Sequence, residues 1–126
     1  MKKILLPVIL LASVIIFSCT SKDDPKMLRH VVLFKFKPAA TPEQIKTVED
    51  AFRALPSKIN EIKDFEWGTN NSPEGLNEGL THCFFVTFAN EKDRDAYLPH
   101  PAHKAFGAIL GPFLEKAVVV DYRVNK

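Results

Sequence analysis

The chain is short of nearly everything that marks the common functional classes. Its 126 residues hold two cysteines, four histidines, one tryptophan and no run of basic residues. No internal repeat or low-complexity segment interrupts it. Basic residues number 17 and acidic residues 15. Two of the bases, Lys2 and Lys3, sit in an N-terminal segment read below as removable, so the remainder is balanced. A balanced chain without a basic stripe does not suit nucleic acid, and no nucleic-acid partner is expected. Two cysteines give no disulfide framework, and Cys83 lies inside an apolar strand-like run, where a thiol usually serves as a small hydrophobe. Histidine is scarce too, but it is not scattered: His100 and His103 fall in the single run Tyr97-Leu98-Pro99-His100-Pro101-Ala102-His103.

The long apolar stretch is N-terminal. Lys2 and Lys3 precede an apolar segment from Ile4 to Phe17, broken by Pro7 and Ser13. It is too short for a comfortable membrane span and has the order of a secretory signal. Its end, Ile16-Phe17-Ser18-Cys19, resembles a bacterial lipobox, in which a small residue precedes the cysteine that receives the lipid. Residues 1–18 are therefore expected to be a lipoprotein signal peptide. Residues 19–27 are expected to be the lipidated Cys19 and a flexible tether, because Thr20-Ser21-Lys22-Asp23-Asp24-Pro25-Lys26 offers nothing apolar to bury. That tether also resembles the acidic export signal of surface-displayed lipoproteins. The expected location is the cell envelope, at the outer membrane, with the protein anchored by lipid; the tether fits either a surface-export signal or a plain solvated linker.

Residues 28–124 have the length of one domain. Leu28 to Lys37 alternates with period two and is the first strand, with His30, Val32, Phe34 and Phe36 on one face. Thr41, Pro42 and Gln44 form a helix start with a capping box, and Ile45, Val48, Phe52 and Leu55 recur at helical spacing. Phe65-Glu66-Trp67 marks a second strand. Leu80 to Ala89 is the third, with His82, Phe84, Val86 and Phe88 on one face. Asn90 suits the cap of a short helix through Tyr97, and the two prolines break it. Pro101 opens another helix with His100 as its cap and a stripe of Ala102, Phe106, Ile109, Leu110 and Phe113. Ala117 to Arg123 is the last strand, and its Val118-Val119-Val120 run predicts cover on both faces.

Strand, helix, strand, strand, helix, strand is the α+β ferredoxin-like order: an antiparallel four-stranded sheet with helices on one face. The opposite face carries Val31, Leu33 and Phe85 and is too apolar to be left in water. A homodimer formed sheet against sheet is the expected cover.

His30 to Lys37, Thr41 to Ile45, Ser72 to Asn77, Thr81-His82, Val86-Thr87-Phe88, Asp93-Arg94-Asp95 and Tyr97 to His103 together resemble the stress-responsive dimeric α/β-barrel family, across nearly all of Leu28 to Tyr122. The resemblance implies the same ferredoxin-like unit, paired as a dimeric α/β barrel. The family's plant members include heat-stable stress proteins and a cyclase that closes a linear polyketide by an aldol step without a metal. By that resemblance Tyr97 and His103 correspond to the cyclase's essential pair, and His30 and His82 to its other pocket histidines. Trp67-Gly68 corresponds to a matching Trp-Gly. Strand alternation places His30, Val32, Phe34, His82 and Phe84 on the helix side. With His100 and Phe106 they form the expected ligand pocket, for a small apolar or phenolic molecule.

His103 falls in the first turn of a helix, where the dipole favours neutral imidazole, the form able to act as a base. Tyr97 suits a hydrogen bond to a carbonyl or enolate oxygen. Structural uses fit the same residues: His30 and His82 as hydrogen-bonded histidines at sheet ends, Tyr97 and His100 as braces of the Pro-rich corner. A metal site from His100 and His103 with His30 or His82 lacks a carboxylate or second cysteine at ligand-like spacing, so no metal and no cofactor is expected. Two classes of function stay open. One is a lipid-anchored dimer that binds a small apolar molecule or acts in stress protection. The other is a metal-independent cyclase or lyase acting on a carbonyl-bearing apolar substrate. The export signal is absent from the plant cyclase, and Pro99 stands where the cyclase has an apolar residue.

Overall fold

The computed structural model describes residues 27–125. The expected signal peptide and lipidated Cys19, and the expected tether as far as Lys26, lie outside the described residues. Among the described residues, no helix is long and apolar enough to cross a membrane.

Strand β1 (Leu28–Phe36) alternates buried and half-buried residues without a break. Helix α1 (Pro42–Arg53) begins at the expected capping box. Thr41 Oγ1 accepts from the Gln44 amide at 3.3 Å, and Gln44 Oε1 accepts from the Thr41 amide at 2.9 Å. Pro at the first helical position forfeits no hydrogen bond there. The chain then makes a short 3₁₀ turn at Leu55–Ser57, so Leu55 is buried from that turn and not from α1. Strand β2 (Ile62–Thr69) is longer than the Phe65–Trp67 alternation suggests, and β3 (His82–Phe88) starts two residues later than expected. Asn90 Oδ1 caps helix α2 (Glu91–Tyr97) by accepting from the Asp93 amide at 3.0 Å. Helix α3 (Pro101–Leu110) follows, and β4 (Leu114–Arg123) closes the domain.

The sheet runs β2-β3-β1-β4, antiparallel at every junction. This is the ferredoxin-like α+β order expected from the sequence. The core lies between the sheet and the helices. Phe52 of α1 sits at its centre, 4.2 Å from the Phe84 ring and 4.5 Å from the Phe106 ring. Full burial of such a ring stabilises the fold by about 1.5–3 kcal/mol.

Strand β4 departs from expectation. Its valines do not have both faces covered within the single chain: Val119 is 53% exposed and Val120 51%. The reason is positional. β4 is a sheet edge, α3 ends at Leu110 before reaching over it, and its other side has no layer. Ile109 is likewise 39% exposed, outside the helix stripe in which it was placed. On that uncovered side the register aligns Phe85, Val31 and Val120 across three strands, and Cys83, Leu33 and Val118 beside them. Tyr122 meets Phe85 edge to face at 6.4 Å. The result is one apolar surface with no polar layer over it.

Candidate functional site

The Pro99-His100-Pro101 corner separates α2 from α3 and turns their adjoining ends toward the same space. Tyr97 ends α2 and is fully buried. His103 lies in the first turn of α3. Their rings are 4.3 Å apart, centroid to centroid. Beneath them β1 presents His30, whose ring meets Tyr97 edge-on at 5.8 Å. These three side chains line a cavity of about 280 Å³. The rest of its wall is apolar: Val32, Phe34, Phe52, Leu98, Phe106, Gly107, Leu110, Ala117 and Val119.

Each imidazole is held by its Nδ1. His103 Nδ1 is 2.9 Å from the Leu98 carbonyl oxygen. A carbonyl only accepts, so His103 carries its proton on Nδ1 and leaves the Nε2 lone pair free. His30 Nδ1 is 2.6 Å from Asp121 Oδ1, which sets the same tautomer. The other Asp121 oxygen accepts from Arg94 at 2.8 Å. The Tyr97 hydroxyl has no hydrogen-bond partner at all, alone in this among the buried side-chain polar atoms of the described residues. Burial also pushes the Tyr97 phenol well above its usual range, so it remains a neutral donor and does not serve as a phenolate base. One unspent donor and two imidazoles with uncommitted Nε2 atoms therefore belong to residues that line the same apolar cavity. That set suits binding a carbonyl or hydroxyl oxygen and moving a proton beside it.

The structure brings together His30, Val32, Phe34, Tyr97, His103 and Phe106 of the residues singled out in the sequence. It places three elsewhere. His100 caps α3, its Nδ1 accepting from the Ala102 amide at 3.1 Å. Phe84 is wholly buried in the core and borders no part of the cavity. His82 sits at the other end of the sheet, opposite Phe34. Its Nδ1 is 2.8 Å from Thr81 Oγ1 and its Nε2 2.9 Å from Glu49 Oε1, so both nitrogens are occupied. Its ring stacks on Trp67 at 6.2 Å and meets Phe36 edge-on at 5.0 Å. This is a clip between β3 and α1. His82→Ala is expected to lower stability by about 2–3 kcal/mol, since it opens a hole and strands Glu49. Denaturant unfolding should show a lower midpoint with unchanged slope, and ligand affinity in the cavity should not move.

A larger concavity, about 360 Å³, lies under the loop between β2 and β3, against Leu33, Gly68, Leu76, Leu80 and Cys83. Its one imidazole is the fully engaged His82, and burial raises the Cys83 thiol above its usual value, which favours the inert form. The imidazoles with a free nitrogen and the unpartnered phenol therefore gather at the smaller cavity. Among the described residues, no three His, Cys, Asp or Glu side chains gather as a metal-binding group.

Sequence reasoning missed Asp121 and Arg94. A signal was present: Asp121 is the lone carboxylate inside the Ala117–Tyr122 strand, and it shares the inward parity of Ala117 and Val119. Only the antiparallel register sets it opposite His30.

Comparison with known proteins agrees with this architecture. The olivetolic acid cyclase of Cannabis sativa is 32% identical over 99 residues, covering 79% of this chain and 98% of that one. The stress-response A/B barrel domain-containing protein HS1 of Arabidopsis thaliana is 36% identical over 96 residues, covering 76% of this chain and 88% of that one. Among solved structures, the hydroxynitrile lyase of Passiflora edulis superposes with a TM-score of 0.76 at 28% identity, covering 82% of this chain and 97% of the other. A dimeric protein of ferredoxin-like fold from Bacteroides fragilis gives 0.65 at 34% identity, covering 78% and 96%. The family described as Stress responsive A/B Barrel Domain matches residues 28–124, the whole span from the first strand to the end of the last, and the chain belongs to that family.

Proposed function

We propose that this domain binds a small apolar carbonyl compound in the cavity beneath α3 and acts on it as a metal-independent lyase or cyclase. The observation that carries this reading is the buried, unpartnered hydroxyl of Tyr97, a residue that lines an apolar cavity. A buried donor left unmade costs the fold about 1–3 kcal/mol, and a ligand oxygen is the partner that would satisfy it. Size agrees: a cavity of about 150 Å³ lined by Leu, Ile and Phe holds benzene, so about 280 Å³ admits one ring with a short substituent.

The reaction such a site supports is the making or breaking of a carbon–carbon bond next to an oxygen. In the cleavage direction an imidazole Nε2 takes the proton of a ligand hydroxyl. The carbon–carbon bond breaks, the oxygen becomes a carbonyl, and the electron pair leaves with the other carbon. The imidazolium then returns its proton to that carbon fragment. Tyr97 donates a hydrogen bond to the oxygen as it passes through the alkoxide. Condensation runs the same steps in reverse. Two similar proteins, a cyclase and a hydroxynitrile lyase by name, support acid–base chemistry of this kind. The stress-response name of the Arabidopsis relative favours a second reading, a binding dimer without turnover.

Residues 27–126 are the span to assay. The single-domain relatives are covered to 97–98% by the matching region, so the span suffices to fold. The fragment should release benzaldehyde from mandelonitrile faster than buffer does, and Tyr97→Phe, His30→Gln and His103→Gln should each slow it. Aromatic aldehyde binding with no turnover of cyanohydrin or aldol substrates would leave the binding module standing instead.

The domain's setting is also a proposal. The uncovered apolar sheet face supports a homodimer, as in the dimeric Bacteroides fragilis protein. The Ser18-Cys19 junction supports a lipid anchor at the outer membrane. Cys19→Ala should leave an unprocessed precursor that takes up no labelled fatty acid. Normal processing of that variant would overturn the anchor.

A further inference from the structure

The two imidazoles of the cavity share a tautomer but not an environment. His103 rests on a neutral carbonyl. His30 rests on a carboxylate that is itself fixed: Asp121 Oδ1 lies 2.6 Å from His30 Nδ1, and Oδ2 lies 2.8 Å from an Arg94 nitrogen. Arg94 also forks onto Asp95 through Nε at 3.0 Å and Nη2 at 2.9 Å. Arg94, Asp95 and Asp121 together carry one net negative charge. Asp121 first and Asp95 second hold the guanidinium above its usual pKa, so that charge pattern persists. A proton placed on His30 neutralises the cluster. A proton placed on His103 meets only a peptide dipole. The His30 side chain is 7% exposed, which reduces the screening between its ring and the carboxylate.

We propose that Asp121, braced by Arg94, is the positioning residue for His30, and that His30 Nε2, not His103 Nε2, takes up the proton when a hydroxyl-bearing ligand sits in the cavity. This rests on the acid–base reading above and names its base. The step is a plain transfer: the ligand O–H bond breaks, its electron pair stays on oxygen as the anion that Tyr97 hydrogen-bonds, and the proton forms an N–H bond at His30. The imidazolium so formed lies between that anion and Asp121. His103 then packs against Tyr97 and holds the phenol in place.

The test is a phenol whose neutral and ionised forms differ in colour, 4-nitrophenol, bound to the 27–126 fragment. Its methyl ether, 4-nitroanisole, has no proton to give and reports whether the cavity is intact. Imidazole ¹⁵N spectra report which nitrogens carry protons. In the wild type, bound nitrophenol should appear as the phenolate, with His30 protonated at both nitrogens. His103→Gln should keep that phenolate. Asp121→Asn should lower the ionised fraction at least about tenfold, consistent with what a positioned base contributes, while binding the ether as the wild type does, and His30→Gln should lower the ionised fraction by at least as much. In the free protein, Asp121→Asn should shift the His30 proton away from Nδ1, as an amide no longer demands a donor.

Loss of phenolate in His103→Gln with retention in Asp121→Asn would overturn the assignment, and so would neutral nitrophenol bound to the wild type. If neither aromatic binds, the acid–base reading fails and takes the proton-carrying role of His30 with it. The free-protein tautomer then decides the positioning role separately: an unchanged His30 signature in Asp121→Asn overturns it.

Discussion

Replacing Tyr97 by Phe is expected to raise the melting temperature by about 4–8 °C while slowing turnover about a hundredfold. Both effects come from one oxygen. The ring is fully buried between His103, Phe88 and His30, and Phe reproduces that packing. The hydroxyl gives the folded chain nothing, because no acceptor meets it. Removing it relieves a desolvated donor of about 1 kcal/mol or more, and about 1 kcal/mol moves the midpoint of a domain this size by the amount stated. Alkaline pH supplies a second signature. Burial raises the folded-state pKa of the phenol above its unfolded value of 10.0. Below pH 10 both states hold the proton and the phenol adds no slope. As pH rises past 10 the unfolded chain releases its proton while the folded chain keeps it, so stability falls with rising pH. The variant should lack that share of the alkaline loss. Thermal melts of both proteins from neutral to alkaline pH check the two claims together. A variant that melts lower than the wild type would show that the hydroxyl braces the corner after all.

Much of the fold was legible because its cues are local. The capping box at Thr41 and Gln44, the Asn90 cap, Pro101 and the period-two alternation of β1 each act within a few residues, and the structure uses every one. What the sequence hid depends on pairing across the chain. His82 shares its strand face with Phe84 and Val86, so alternation put it on the helix side with His30. Register places it opposite Phe34 and hands it to Glu49, outside the cavity lining. Asp121 is 91 residues from the histidine it fixes. The Leu98 carbonyl that sets the His103 tautomer is backbone, to which no residue type gives a clue. The exposure of Val119 and Val120 in the single chain has a related cause: an apolar run shows that cover is needed and says nothing of which molecule provides it.

That missing cover leads to the other large effect. Phe85→Glu is expected to convert a dimeric 27–126 fragment to monomer at micromolar concentration. Phe85 lies at the middle of the uncovered sheet face, in register with Val31 and Val120 and touching Tyr122 edge-on. A twofold axis across this face would bring the same patch of each copy together, so a single substitution places two carboxylates in one interface. An uncompensated buried charge costs about 3–5 kcal/mol. The two together cost about 6–10 kcal/mol and weaken the dimer by more than about ten-thousandfold, which carries a nanomolar complex past micromolar working concentrations. Folding of the single chain should survive, because Phe85 points away from the core around Phe52 and Phe84. A second variant separates charge from position. Val119→Glu puts the same carboxylate on the same sheet but on the cavity side, where Val119 is 53% exposed. It should leave the assembly intact and weaken only ligand binding. Light scattering on the three proteins, with circular dichroism to confirm folding, decides the matter. A wild-type fragment that is folded and monomeric, or a Phe85→Glu protein that stays dimeric, would mean that this sheet face is not the contact between copies.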